Sequence, residues 1–433
     1  MRIHGVARCF AFLGLVLLGV GTAREARAQK HNVIIFVADG LRRGSVTEEE
    51  MPTFVKLRKM GVDFRDSHSV FPTFTTANAS AIATGHGLGD TGDYSNVIYP
   101  GLWLQNPGKA ASGTIVPFLE NDQVLADMND AFAGNYLGER TLLGVAREKG
   151  FNVASVGKLG PTAIQQNELV RWNDADKVGG NGAIVVDDST GAANGVVLPD
   201  DVIAALEKEK MPTSAPLRTN GYGDTTQWSN GFFGDAMTPG TLRANKVQEK
   251  WFADVTTKVL LPKFSEDTKP FVLLFWSRDP DGSQHNEGDS LQRLTPGING
   301  PTSDAGLRNA DACLKQLLDW LDAHPAVKAK TDVVVTSDHG FATISRREIA
   351  ADGAMTATPS AGRQYDSGSA KPEPAGTLPT GFLALDLGIR ENMRVFDSAR
   401  RANLGPSAYE ELRIGGERSQ FPVRGNALLG DAV

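Results

Sequence analysis

Three apolar runs in this chain each lead into a turn that carries an acid, and this pattern constrains the fold more than any other feature of the sequence. Asn32-Val33-Ile34-Ile35-Phe36-Val37-Ala38 stops at Asp39-Gly40. Phe271-Val272-Leu273-Leu274-Phe275-Trp276 runs into Arg278-Asp279-Pro280-Asp281-Gly282-Ser283-Gln284-His285, and Asp332-Val333-Val334-Val335-Thr336 ends at Asp338-His339-Gly340. Short continuous apolar runs of this kind read as strands buried on both faces, as in a parallel sheet covered by helices. In open α/β sheets the ligand site lies beyond the carboxyl ends of the strands. Three such ends would bring Asp39, Asp281 and Asp338 together with His285 and His339.

A fourth stretch, Phe71 to His86, reads FPTFTTANASAIATGH. Pro72 and the threonines interrupt any helix, whereas Asn78-Ala79-Ser80-Ala81-Ile82-Ala83 favours one, so a helix should begin between Thr75 and Asn78. A hydroxyl at that start faces the positive end of the helix dipole, a setting that favours an approaching anion such as a phosphoryl group. A threonine hydroxyl is a weak nucleophile at neutral pH unless a base or a metal removes its proton. Thr73, Thr75 and Thr76 are all candidates on spacing to the helix start.

The first 28 residues combine a basic start, an apolar core from Cys9 to Val20 and a small-residue Ala26-Arg27-Ala28 site, the pattern of a secretory signal peptide cleaved after Ala28. The apolar run is too short to favour a membrane span. The expectation is a secreted or periplasmic protein without a membrane anchor after cleavage. Cleavage removes four arginines and one glutamate and leaves the mature chain more acidic than the −7 of the whole. Such a surface argues against duplex nucleic acid as a partner. Cys9 leaves with the signal, so Cys313, on a helix face, is expected to be a buried structural thiol with no intrachain disulfide.

The remainder, 29–433, reads as one α/β domain with two loop-rich insertions, at about 87–137 and 160–240. Helices are expected from Thr47 to Met60 with a break at Met51-Pro52, from Arg140 to Lys149, from Asp200 to Lys210, from Leu242 to Lys263 and from Asp304 to Leu321. Asn152-Val153-Ala154-Ser155-Val156 should be a short strand ending at Gly157-Lys158. Residues from Asp352 to Gly381, rich in Pro, Ser, Gly and Ala, are expected to form a loop, and Phe382 to Leu387 a strand.

A mixed carboxylate and imidazole donor set suits zinc better than manganese or iron. Two such ions roughly 4 Å apart can act on one phosphoryl group, one on the attacking oxygen and one on the leaving oxygen. The ordered set of Asp39 after a strand, Phe71-Pro72-Thr73-Phe74-Thr75-Thr76-Ala77-Asn78 with Thr84-Gly85-His86, Asp281-x-x-x-His285 and Ser337-Asp338-His339-Gly340 resembles the type I phosphodiesterase and nucleotide pyrophosphatase branch of the alkaline phosphatase superfamily. The resemblance implies an α/β three-layer sandwich with a mostly parallel central sheet and helices on both faces. It implies two zinc ions, one held by Asp39, Thr75, Asp338 and His339, the other by Asp281 and His285. Thr75 becomes the nucleophile, through a phosphothreonine intermediate, and Asn78 a donor to a phosphoryl oxygen. The substrate would be a small-molecule phosphate ester.

Departures from related patterns narrow this expectation. No Cys/Ser-x-Pro-x-Arg motif is present, which argues against sulfatase chemistry. Phosphomonoesterases of the threonine type carry Lys-x-Arg after a strand, and here that place reads Lys158-Leu159-Gly160. A monoesterase is thus the second reading, and a non-catalytic phosphate- or glycan-binding protein on the same fold the third. The family completes its second metal site with a histidine downstream of the Asp-His pair, but none follows His339. His86 should lie about 16 Å from Thr75 at the far end of the helix, His31 and His324 belong to the opposite edge of the sheet, and His68 is the one substitute. The expectation is therefore a second zinc site incomplete in this chain, with a C-terminal part missing.

Overall fold

The computed structural model describes residues 31–102, 104, 117–169, 184–193, 195–218, 244–284 and 301–341, with six further short pieces between 345 and 429. Strands β1 (Asn32–Ala38), β2 (Asn152–Gly157), β3 (Val185–Asp187), β4 (Phe271–Ser277) and β5 (Thr331–Thr336) form one parallel sheet in the order β3-β2-β4-β1-β5. β4 is buried along its whole length, as a continuous apolar run at the centre of a covered sheet should be. β5, expected to be equally buried, instead ends the sheet among the described residues and leaves Val334 about half exposed.

Strand order dictates where the helices go. Connections between parallel strands are right-handed, so those that step from β1 towards β2 and β3 and those that step back towards β4 and β5 cover opposite faces. The helices form two groups accordingly. α1 (Pro52–Met60), α6 (Asp200–Lys208), α7 (Lys246–Asp254), α8 (Leu261–Glu266) and α9 (Pro301–Ala323) make one, and α2 (Thr75–Thr84), α3 (Asp122–Ala131), α4 (Leu142–Glu148) and α5 (Pro161–Ile164) the other. α1 joins the first group although it follows β1. Phe54 meets Phe36 edge-on at 5.8 Å, while Phe36 stacks on Phe275 at 5.2 Å. The Asp311 carboxylate on α9 accepts from Thr53 N, Phe54 N and Thr53 Oγ1 and so closes the N-terminus of α1. This is the three-layer arrangement expected from the sequence.

The corrections are local. α1 begins at Pro52, not Thr47, because proline fits the first helical turn but cannot return a hydrogen bond to a preceding one. The 242–263 helix is α7 followed by a π turn, Val255–Leu260, and α8; Trp251, Val255 and Val259 are buried as expected, but Val247 is exposed. Pro262, with no N–H for the ladder, sits just after the widened turn. The stretches read as insertions contribute to the core: β3 and α5 lie within 160–240, while Ile98, Leu104, Leu119 and Leu125 are buried within 87–137. A strand, Met355–Pro359, paired with Ser345–Ile349, crosses the expected loop from Asp352. Phe382 to Leu387 lies outside the described residues. Cys313 is buried and free, with its thiol facing Glu249, as expected of a structural cysteine. No helix among the described residues is long and apolar enough to cross a membrane.

Candidate active site at the carboxyl ends of the strands

Four neighbouring strands deliver the site. Asp39 follows β1, Lys158 follows β2, Asp281 opens a helical turn after β4, and Asp338 and His339 follow β5. Gly157 makes the β2 end possible: at φ 132° a Cβ there would lie 1.9 Å from Trp276 O. The backbone knits these ends together, with Asp281 N donating to Asp39 O, Lys158 N to Trp276 O, and Gly40 N to Asp338 Oδ1. Thr75 is the first residue of α2, which places its hydroxyl at the positive end of the helix.

Asp39, Asp338 and His339 each offer a ligand atom within 4.8 Å of the others. His339 Nδ1 faces Gly340 O at 2.7 Å, an oxygen that only accepts, so this nitrogen carries the proton. Nε2 is left towards the cluster, 3.2 Å from Thr75 Oγ1, 3.3 Å from Asp338 Oδ2 and 3.6 Å from Asp39 Oδ1. A ring held through Nδ1 by a backbone carbonyl is the usual orientation of a ligating imidazole. Asp39 Oδ2 accepts from Trp276 Nε1 at 2.7 Å, while Asp39 Oδ1 and Asp338 Oδ2 are buried without a hydrogen-bond partner. Burial, then the negative charge of Asp338, pushes the Asp39 carboxyl well above the usual range, and burial raises Asp338 as well. Two orphaned buried carboxylate oxygens beside an imidazole nitrogen fit a divalent cation.

Lys158, expected from the sequence at the end of a strand, stands at the centre of the cluster. Its Nζ is fully buried and lies 2.9 Å from Asp39 Oδ2, 3.2 Å from Glu120 Oε1, 3.3 Å from Asp281 Oδ2 and 3.4 Å from Thr75 Oγ1. Burial alone would favour the neutral amine, but Asp281, Asp39 and Glu120 outweigh it and hold the ammonium above its ordinary pKa. Glu120 was missed altogether, since it sits in a stretch read as an insertion and belongs to no motif.

Of the three threonines, Thr75 is the one whose hydroxyl faces His339 and Lys158. Thr76 Oγ1 turns away to Asp93 and Asn96, and Thr73 is exposed. Asn78 is buried close by, but its amide is engaged by backbone: Oδ1 accepts from Val70 N, and Nδ2 donates to Phe74 O at 3.0 Å. Asn78 thus fixes the loop into α2 and is not brought to Thr75 as a free donor. Asp281 reaches the site through Lys158, and its expected partner His285 lies outside the described residues. His68 is exposed, with Nδ1 on Ser69 O. His86 faces Asp90 and Glu139, His324 stacks on Trp320 at 4.0 Å, and His31 faces Asp332; none of the four joins the cluster.

No curated protein matches the chain. Among solved structures it is similar to a phosphonoacetate hydrolase from Sinorhizobium meliloti 1021, in complex with phosphonoformate, at 16% identity and a TM-score of 0.41, over 86% of this chain. This chain spans 66% of the length of that protein. The family model described as type I phosphodiesterase / nucleotide pyrophosphatase matches residues 33–358, from β1 into the strand Met355–Pro359, and so takes in every site residue described above. The chain belongs to the type I phosphodiesterase / nucleotide pyrophosphatase family.

Proposed function

We propose that this chain is an exported phosphodiesterase or nucleotide pyrophosphatase that hydrolyses phosphate esters through Thr75. The observation that carries the reading is the position of Thr75 Oγ1, at a helix start, 3.2 Å from His339 Nε2 and 3.4 Å from Lys158 Nζ. Asp39, Asp338, His339 and Thr75 would hold one zinc ion, and Asp281 with His285 would contribute to a second. Bound there, the ions supply Lewis acidity that favours the deprotonated hydroxyl and neutralises phosphoryl charge.

The chain's own groups do the rest. The start of α2 and the Lys158 ammonium present positive charge where an anionic phosphoryl group approaches Thr75. The Oγ–P bond of Thr75 forms as the bond to the leaving alcohol or nucleotide breaks, and the leaving oxygen takes up a proton. Water then attacks the phosphothreonine: a new O–P bond forms, the Oγ–P bond breaks, and Thr75 regains its proton. Trp276 Nε1, on Asp39 Oδ2, fixes the carboxylate that this arrangement depends on.

Purified protein should turn over a nitrophenyl phosphodiester, lose that activity on chelation and regain it with zinc. Absence of zinc-restorable turnover contradicts the reading. A non-catalytic phosphate binder on the same fold would retain ligand without turnover in both wild type and Thr75→Ala.

A further inference from the structure

Gly160 follows Lys158 by two, and the structure shows why this position carries no side chain: φ is 89°, and a Cβ there would lie 2.6 Å from Glu120 Cα. A cation reaching the site from position 160 is therefore excluded in this backbone. The neighbouring strand brings one to the same level. β2 and β4 run parallel with Gly157 opposite Trp276, which sets Arg278 across from Leu159 just past the strand ends. Asp188, at the end of β3, ties the two together: its Oδ1 accepts from Leu159 N at 3.1 Å and its Oδ2 from Arg278 Nη2 at 2.9 Å.

Arg278 is not consumed by that contact. Its side chain is 8% exposed, and its Nε is buried with no hydrogen-bond partner, an arrangement that is costly unless something else uses the donor. Asp188 Oδ2 also lies 3.9 Å from Arg218 Nε, so one carboxylate is shared by two guanidinium groups. Arg278 is close enough to Lys158 and to Glu120 and Asp39 for their charges to act on it. A lone structural ion pair would not leave the spare donor.

We propose that Arg278, beside Lys158, forms an anion subsite for the additional negative charge of a phosphate monoester dianion, so that the same site hydrolyses monoesters as well as diesters. The proposal rests on the Thr75 reading above. A planar guanidinium with a free N–H suits a second phosphoryl oxygen, and a diester, which has only one negative charge, gains less from it.

The test compares nitrophenyl phosphate with methyl nitrophenyl phosphate on zinc-loaded wild type, Arg278→Gln and the double variant Arg278→Gln/Asp188→Asn, which does not leave the Asp188 carboxylate without its guanidinium. The monoester to diester ratio of kcat/KM should fall about 10- to 100-fold in both variants, the range of one hydrogen bond to a charged group. Inhibition by inorganic phosphate should weaken by a similar factor. Equal losses on both substrates, or an unchanged ratio, assign Arg278 a structural role only and overturn the subsite. Wild type active on the diester alone overturns the subsite and leaves the Thr75 reading intact, whereas wild type inactive on both overturns the Thr75 reading itself.

Discussion

Lys158 Nζ lies 2.9 Å from Asp39 Oδ2 with both side chains buried, and Asp281 and Glu120 complete a ring of carboxylates around the ammonium. A buried ammonium among acids contributes little if well solvated alternatives exist, but removing it leaves uncompensated buried charge. Lys158→Gln should therefore lower the stability of the metal-free protein by about 3 kcal/mol. Added zinc should recover part of that loss, because a divalent cation neutralises the same acids. Denaturant unfolding with chelator and with zinc checks both statements, and an equal loss in the two conditions would show that the ammonium and the metal act independently.

Trp276→Phe removes the 2.7 Å donor to Asp39 Oδ2 while keeping the aromatic volume in the core of β4. Groups that orient a ligating carboxylate typically contribute about 10- to 100-fold to metal affinity. Zinc titration against a competing chelator should show a loss in that range. Unchanged affinity would mean that Asp39 is fixed by the backbone alone.

Asp93, beneath α2, accepts from Ser80 Oγ, Thr76 Oγ1 and Tyr136 OH, yet burial pushes its pKa up to about 6. The folded protein thus holds a proton that the unfolded chain has released between about pH 4 and pH 6. The contribution of this group to stability is greatest below pH 4 and is lost as pH rises through 6. Relative to Asp93→Asn, wild type should lose about 2 kcal/mol between pH 4 and pH 7.5. A stability difference independent of pH would place the ionisation elsewhere.

Much of this site was legible because its acids terminate apolar runs. The seven residues of β1 and of β4 carry enough burial to be read as strands, so Asp39 and Asp281 could be placed at their ends. Thr75 could be narrowed to three candidates from the helix start, but only side-chain direction separates it from Thr76, one residue away and turned to Asp93. β3 escaped because three residues carry no periodic signal. Glu120 and Arg278 escaped for another reason: each acts through residues distant in sequence, Lys158 in one case and Asp188 in the other, and a lone charged residue in a loop reads as solvated.

Thr75 as the covalent nucleophile is the central claim, and trapping tests it most directly. Zinc-loaded protein mixed with excess methyl nitrophenyl phosphate, quenched in acid and digested, should carry a methylphosphoryl group on Thr75 by peptide mass spectrometry, and Thr75→Ala should show neither the adduct nor turnover. An adduct on another residue, or undiminished turnover by Thr75→Ala, would contradict the account.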